Sequence, residues 1–229
     1  MLDGTTCYAT DEDIAVRVSA DYTVLVPKDQ KLAWGDDGAF VEGARWVLSS
    51  RSVDFQAAGL VPGHVVLLTH PASAFRAPAE MFVVSRAAGN LLTLRRKGQK
   101  DGEGQPPTPT GPGGLVEFCS WTFGPQLARA SYDLDRRFGI DESVPGRRPS
   151  DLFDLRELRE AAVLTVLYRQ YMDLCRGSEA LNDSFAMKTQ LFRTELEGLL
   201  ARLVLHWSSP AGPSSADGPT SRFGTRIGR

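Results

Sequence analysis

The histidines are the residues of this chain best suited to acid–base chemistry or metal binding, and there are three: His64, His70 and His206. None has a Cys or carboxylate partner at a metal-binding spacing such as H-E-x-x-H. His64 and His70 flank a stretch of strand composition and are an even number of positions apart, so both would lie on one face. A site that joined them to a carboxylate would support an enzyme; the favoured interpretation is two solvated residues at the ends of one strand.

No motif anchors a catalytic, cofactor or metal site. The glycine-rich stretch lies between two predicted strands and is full of prolines, unlike a phosphate-binding loop that opens a helix. The G-x-S-x-G pattern of a nucleophilic serine does not occur. The acidic residues between positions 133 and 160 alternate with arginines, which is typical of a salt-bridged helix surface or a subunit interface. We therefore predict no enzymatic activity, no catalytic residue, no cofactor and no metal.

One short basic cluster could contact phosphate groups. Arg95, Arg96 and Lys97 are consecutive, and Lys100 follows closely. Aromatic side chains that would stack on bases do not alternate with these charges. The formal net charge of −2 also argues against a protein that coats nucleic acid by bulk charge. Arg95, Arg96 and Lys97 are the candidate DNA-facing residues of an alternative hypothesis, a small nucleic-acid-binding barrel.

The composition indicates a globular protein that is made and kept in a cytoplasm. The chain has 229 residues, of which 42% are hydrophobic and 24% charged, enough for real cores. No run of about 20 apolar residues is present, and the acidic N-terminus lacks the layout of a signal peptide, so no membrane partner is expected. Cys7, Cys119 and Cys175 are far apart and odd in number, which favours free thiols.

The N-terminal half contains the elements of a small barrel. Thr10 is a plausible N-cap of a short helix whose first turn is acidic. The Tyr22–Pro27 run has strand composition, and the glycine–aspartate cluster at 35–38 breaks it. Four short strands are predicted at 46–50, 64–69, 81–84 and 91–95, and a further strand at 115–123 would return and close the barrel.

The C-terminal half is predicted to be helical. Helices are expected at Pro125–Phe138, Asp151–Arg176 and Asp183–Trp207, the last two as an antiparallel hairpin. The predicted fold class is α+β: a bundle of three main helices with a small β-barrel-like insertion and a flexible C-terminal arm. The predicted domains are an N-terminal helix and connecting segment at 1–45, a β-rich domain at 46–123 with a Gly/Pro loop at 98–114, the bundle at 124–207 and the arm at 208–229.

The C-terminal arm, from Ser208 to Arg229, is rich in serine, glycine and proline and is expected to order only on a partner. Its basic and apolar residues are the candidate partner-binding residues: Arg222, Phe223, Arg226, Ile227 and Arg229.

Four segments resemble the head-tail connector (adaptor) proteins of tailed double-stranded DNA phages. The resemblance is carried by Leu127–Phe138 (LARASYDLDRRF), by Asp154–Tyr168 (DLRELREAAVLTVLY), by Phe185–Lys188 (FAMK) and by the opening Tyr8–Ile14 (YATDEDI). The resemblance as a whole extends over roughly half of the chain. The β-rich block departs from the family and leaves open a different neck protein, of the head-completion or stopper type.

The resemblance implies a virion structural protein that is made in the host cytoplasm and resides in the virion neck. It implies a ring of copies of this chain, a dodecamer in this family, between portal and tail. The partners implied are the portal protein, neighbouring copies, further neck or tail proteins, and genomic DNA that passes through the channel without sequence recognition.

Overall fold

The computed structural model describes residues 7–70, 79–107, 115–176 and 183–208. These residues form two compact units. The barrel unit is Thr10–Gly124; the helical unit consists of the described residues before Thr10 and after Gly124. In the sequence, the barrel unit therefore lies between two segments of the helical unit.

The barrel unit begins with two short helices, α1 (Asp11–Arg17) and α2 (Tyr22–Leu25). Thr10 caps α1 through a capping box, in which the Thr10 backbone N–H donates to Asp13 Oδ2 at 2.8 Å. The N-cap prediction at Thr10 is thus confirmed. The prediction of strand structure at Tyr22–Pro27 is wrong, because Tyr22–Leu25 forms one helical turn instead.

Six antiparallel strands close into a barrel in the order β1-β2-β5-β4-β3-β6. Their bounds are β1 (Lys31–Val41), β2 (Ala44–Ser49), β3 (Val65–His70), β4 (Glu80–Ala88), β5 (Leu91–Arg96) and β6 (Val116–Trp121). The last strand pairs with both β1 and β3, which confirms the prediction that it returns and closes the barrel. The other four strand predictions are confirmed with shifted ends.

Side chains from all six strands fill the barrel interior. Phe118 on β6 meets Phe55 edge to face, with ring centroids 5.3 Å apart. Around this pair lie apolar residues that are at most 6% exposed: Ala33, Leu48, Leu60, Val66, Leu68, Phe82, Val84, Leu92, Leu94 and Val116. The barrel is therefore a packed core rather than an open channel.

Strand β1 is the element that the sequence patterns did not predict. Gly35 and Gly38 were interpreted as a break, yet both lie inside β1. A Cβ at Gly35 would stand 2.5 Å from Phe118 Cζ, and one at Gly38 would stand 2.6 Å from the Val116 carbonyl oxygen. Only glycine allows β1 to pass this close to β6.

The predicted fold class, a three-helix bundle with a small β-barrel-like insertion, is wrong. The barrel is a closed six-stranded unit accompanied by five helices, and its strands run from Lys31 to Trp121. The error arises because β1 was not predicted. Without β1 the sheet has five strands instead of six, and the size of the β-rich part is underestimated.

The helical unit contains α3 (Gly124–Phe138), α4 (Arg156–Arg176) and α5 (Asp183–Arg202), with a single 3₁₀ turn at Pro149–Asp151. Tyr171 of α4 stacks on Phe192 of α5 at 5.4 Å, and Cys175 reaches Thr189 at 3.6 Å. Later residues of α4 thus meet earlier residues of α5, which confirms the antiparallel hairpin.

Two helix ends differ from their predicted positions. Asp151 belongs to the 3₁₀ turn, and α4 begins only at Arg156. Helix α5 ends at Arg202 rather than Trp207, because the following segment runs back along residues 151–153. There, Phe153 donates its N–H to the His206 carbonyl at 2.9 Å, and Ser208 donates its N–H to the Asp151 carbonyl at 2.7 Å.

Candidate functional site

His64 is part of a backbone turn. It precedes β3, and its Nδ1 accepts a hydrogen bond from the Val61 backbone N–H at 3.2 Å. Burial lowers the pKa of His64, which favours the neutral imidazole that this bond requires. The side chain of His70 lies outside the described part of the structure.

A cleft of about 510 Å³ opens on the barrel unit beside the β1–β2 turn. Its walls include Arg45, Trp46, Pro106 and three glycines. Arg45 is the one ionisable side chain among its lining residues, and His64 is not among them. In the described ranges, no three His, Cys, Asp or Glu side chains come together in a way that would hold a metal ion. No helix within those ranges has the length and apolar character needed to cross a membrane.

Each of the three predicted DNA-facing residues has a partner within the barrel unit. Arg95 donates from Nη1 and Nη2 to the two carboxylate oxygens of Glu12 on α1, each at 2.5 Å, and its side chain is only 20% exposed. Arg96 lies over the Phe82 ring at 5.1 Å and donates to the Gln105 carbonyl at 2.7 Å. Lys97 donates to the Ser19 hydroxyl. All three cations have partners within the barrel unit, and the nucleic-acid hypothesis remains an untested alternative.

The predicted partner-binding residues of the C-terminal arm, Arg222, Phe223, Arg226, Ile227 and Arg229, lie outside the described residues. Of the arm, the structure describes Ser208, which is bonded to Asp151.

Tyr8 connects three separate segments of the helical unit. Its backbone N–H donates to Ser131 Oγ at 3.1 Å, and its hydroxyl donates to Asp135 Oδ1. Arg159 on α4 donates from Nε to the Tyr8 carbonyl at 3.3 Å. The Tyr8 side chain is 4% exposed. Burial and the bond to Asp135 raise the pKa of the Tyr8 phenol, so it stays protonated and able to donate.

Helix α5 has one covered face and one uncovered face. Phe192, Leu199 and Leu203 are buried, as the sequence stripe predicts. On the opposite side lie two large apolar side chains, Met187 (71% exposed) and Leu191 (53% exposed). They are followed along the same face by Thr194, Gly198 and Ala201, all exposed. We call these five residues the α5 outer face; it carries no charge over about 21 Å.

The sequence patterns did not predict the hydrogen bonds of Tyr8 or the α5 outer face, and the reasons differ. The Tyr8 connections join residues more than 120 positions apart, and no local pattern reports them. The α5 outer face had a visible signal, because Met187 and Leu191 are apolar residues four positions apart that fall outside the predicted buried stripe.

No protein-family model matches the chain, and comparisons with curated proteins and with solved structures gave no significant match.

Proposed function

We propose that this chain is a head-tail connector (adaptor) subunit of a tailed double-stranded DNA phage, and that it forms a ring between portal and tail and continues the DNA channel. The observation that carries the proposal is the set of bonds around Tyr8. In chain order, the four resembling segments begin at Tyr8, Leu127, Asp154 and Phe185. The bonds of Tyr8 join the first segment to the second through Ser131 and Asp135, and to the third through Arg159.

The fourth resembling segment belongs to the same unit. Phe185 lies 5.9 Å from the Tyr171 ring, and Lys188 lies over that ring at 5.6 Å. The barrel unit, Thr10–Gly124, contains the remainder of the opening segment, Thr10–Ile14, and separates Tyr8 and Ala9 in the sequence from the other three segments. The cohesion of Tyr8 with those three segments in one unit is what an adaptor core with an additional barrel requires.

The uncovered face of α5 supports a role in an assembly. Exposed Met187 and Leu191 side chains on one helix are typical of a surface that another protein covers. A ring subunit needs such surfaces for its neighbours and for portal. The small net charge fits a channel that DNA passes without being held.

The first test is the native mass in solution by light scattering, alone and after mixing with the portal protein of the same genome. We expect a ring alone, or capture of this chain by portal. A monomer that portal does not capture at any concentration would contradict the proposal. A variant that ends at Ser208 serves as the matched comparison: normal capture without the arm would remove the arm residues, Arg222 to Arg229, from the portal contact.

The related alternative is a head-completion or stopper protein of the same neck. It is favoured by the barrel, which is a complete closed unit and not a minor addition. The two functions differ in the order of binding. An adaptor should bind isolated portal, whereas a protein that acts later in the neck should bind only portal that already carries its adaptor.

A further inference from the structure

We infer that the outer side of strands β1 and β6 binds single-stranded nucleic acid. The binding residues are two tryptophans, Trp34 and Trp121, and two lysines, Lys28 and Lys31. We call these four residues the tryptophan–lysine face. It is separate from the Arg95–Lys97 cluster, and the inference holds whether or not the chain is a connector subunit.

Both tryptophans lie on the outside of the barrel. Ala33 of β1 and Phe118 of β6 belong to the packed interior, and side chains alternate between the two faces of a strand. Trp34 directly follows Ala33 and points outward, with 52% of the residue exposed. Trp121, three positions after Phe118, points outward as well. The two rings are therefore on one side of the sheet, away from the core.

Strand pairing brings the two tryptophans close together. In the antiparallel ladder Trp34 lies opposite Cys119, and Lys31 lies opposite Trp121. The tryptophans are thus diagonal neighbours on adjacent strands, a relation that separates two positions by about 7–8 Å. Successive bases of a single strand stack on aromatic side chains arranged in this way. The two rings can therefore form a platform for two adjacent bases.

Each ring has an ammonium group beside it. Lys28 Nζ lies 4.1 Å from the centroid of the Trp121 ring and donates to the Thr23 carbonyl at 2.5 Å. Lys31 Nζ lies 5.9 Å from the centroid of the Trp34 ring. A cation–π contact at an exposed site is weak, so a phosphate can draw either ammonium group from its ring and leave that ring open to a base.

The lysines set the sign of the potential at the centre of the face, where Cys119 lies. Burial raises the pKa of the Cys119 thiol, and Lys31 and Lys28 oppose this rise. Glu117 adds to the rise, but with a smaller effect than either lysine. The side-chain charges therefore make the potential at Cys119 positive, as the binding of a phosphate requires.

Acidic residues limit the length of the site. Asp36 and Glu117 are the next outward-facing residues of β1 and β6 on the side away from Lys31. Their charges repel a phosphate backbone, so we expect a short site of about two nucleotides, one base on each ring. Asp29, which follows Lys28, is exposed and reduces the net charge. The affinity should therefore be modest.

The combination of rings and cations favours nucleic acid over an acidic protein. An acidic segment of another protein would pair with the lysines but has no flat group for the rings. A nucleotide carries an aromatic base and a phosphate together. In a duplex the bases are already stacked on one another, so only an unpaired strand can place them on Trp34 and Trp121.

The test measures binding of the full chain to labelled decathymidylate and decauridylate by fluorescence anisotropy at low salt. We expect saturable binding of at least one of them, and the comparison shows whether DNA or RNA is preferred. A duplex hairpin and a labelled oligoglutamate are the comparison probes, and both should bind at least fivefold more weakly.

Stacking is tested by removing one ring. Trp34→Leu should raise the Kd at least fivefold, because one base loses its platform. Phe153→Leu is the matched control, since Phe153 is an 82% exposed ring in the helical unit, and it should leave the Kd unchanged.

The charge contribution is tested through the salt dependence. Lys31→Gln should reduce the slope of log Kd against log salt by about 0.7, the value for one phosphate of a single strand. Lys100→Gln removes an exposed lysine that follows β5, two strands away from β1, and should leave the slope unchanged.

Three results would overturn the inference. The first is the absence of saturable binding to both oligonucleotides. The second is equal or tighter binding of oligoglutamate or of the duplex, which would assign the lysines to an acidic protein or to paired DNA. The third is an unchanged Kd in Trp34→Leu, or equal effects of Lys31→Gln and Lys100→Gln, which would show that binding does not occur at the tryptophan–lysine face.

Discussion

Asp11 is a buried carboxyl group at the start of α1, with 1% of the residue exposed. Its Oδ1 accepts the Phe123 backbone N–H at 2.8 Å, while Oδ2 has no hydrogen-bond partner among the described residues. Burial raises the pKa of Asp11 to about 6, although the bond from Phe123 opposes this. Ionisation of this residue therefore works against the folded barrel unit at neutral pH.

The stability of the chain should depend on pH through Asp11. Because its folded pKa lies above the unfolded value, the folded state binds more protons between about pH 4 and pH 6. The free energy of unfolding of wild type, relative to that of Asp11→Asn, should fall by up to about 3 kcal/mol as the pH rises through that window. Urea unfolding of both proteins at several pH values measures this difference. A constant difference across the window would mean that Asp11 titrates like an exposed carboxyl.

At the scale of elements, Glu12 attaches α1 to the barrel at two points besides the Asp11–Phe123 bond. The Glu12 carboxylate accepts hydrogen bonds from Arg95 Nη1 and Nη2 at 2.5 Å and from the Gly98 backbone N–H at 2.9 Å. At the second point, the Glu12 backbone N–H donates to the Gly63 carbonyl at 3.0 Å. The cluster that resembles a phosphate-binding patch in the sequence thus has a structural role at Arg95.

The ion pair between Glu12 and Arg95 should contribute measurably to stability. A double-mutant cycle with Glu12→Gln and Arg95→Met should give a coupling of about 1–2 kcal/mol, because both side chains are largely shielded from water. The exposed pair Asp154–Arg156 is the control and should give a much smaller coupling, because solvent screens both charges. Equal couplings, or a Glu12–Arg95 coupling abolished by 0.5 M salt, would contradict the shielding argument.

Gly63 should tolerate substitution much less than another glycine of similar backbone conformation. Gly63 and Gly59 have φ of 93° and 81°, so alanine is strained at both. A Cβ at Gly63 would lie 2.9 Å from Thr10 Cβ, whereas one at Gly59 would meet nothing within 4 Å. Gly63→Ala should therefore destabilise the protein by about 1–3 kcal/mol more than Gly59→Ala. Thermal unfolding measures the stability of the two variants. Similar losses of stability would show that the start of α1 does not approach Gly63 this closely.

Prediction from sequence succeeded for helices and strands that have a local sequence pattern. It failed where the structure of a segment depends on a residue far away in the sequence. The helices at 125–138 and 151–176 have apolar periodicity, and the strands at 46–50 and 91–95 have β-branched or aromatic composition, so their existence was readable. Gly35 and Gly38 were misread because the reason for them lies on β6, about 80 positions later: Phe118 for Gly35 and Val116 for Gly38. The connections of Tyr8 were unreadable for the same reason.

At the scale of the whole chain, the two units should respond separately to mutations inside each. Tyr8→Ala removes a buried ring and the bonds of its hydroxyl in the helical unit. Hydrogen exchange followed by mass spectrometry should show faster exchange in residues 125–176 and unchanged exchange in strands β1–β6. Tyr8→Phe, which loses only the hydroxyl, should give a smaller effect of about 1 kcal/mol. Equal acceleration in both units would contradict the division.

The position of β6 between β1 and β3 has a consequence for the chain as it leaves the ribosome. Strand β1 is complete at Val41, but its partner β6 begins only at Val116. At synthesis rates of about 5–20 residues per second, one edge of β1 waits roughly 4–15 s for its partner. During that time the nascent barrel exposes two unpaired edges, at which other nascent chains or chaperones can bind. Tyr8 is translated among the first residues, yet its partners Ser131, Asp135 and Arg159 are made only after the last strand of the barrel.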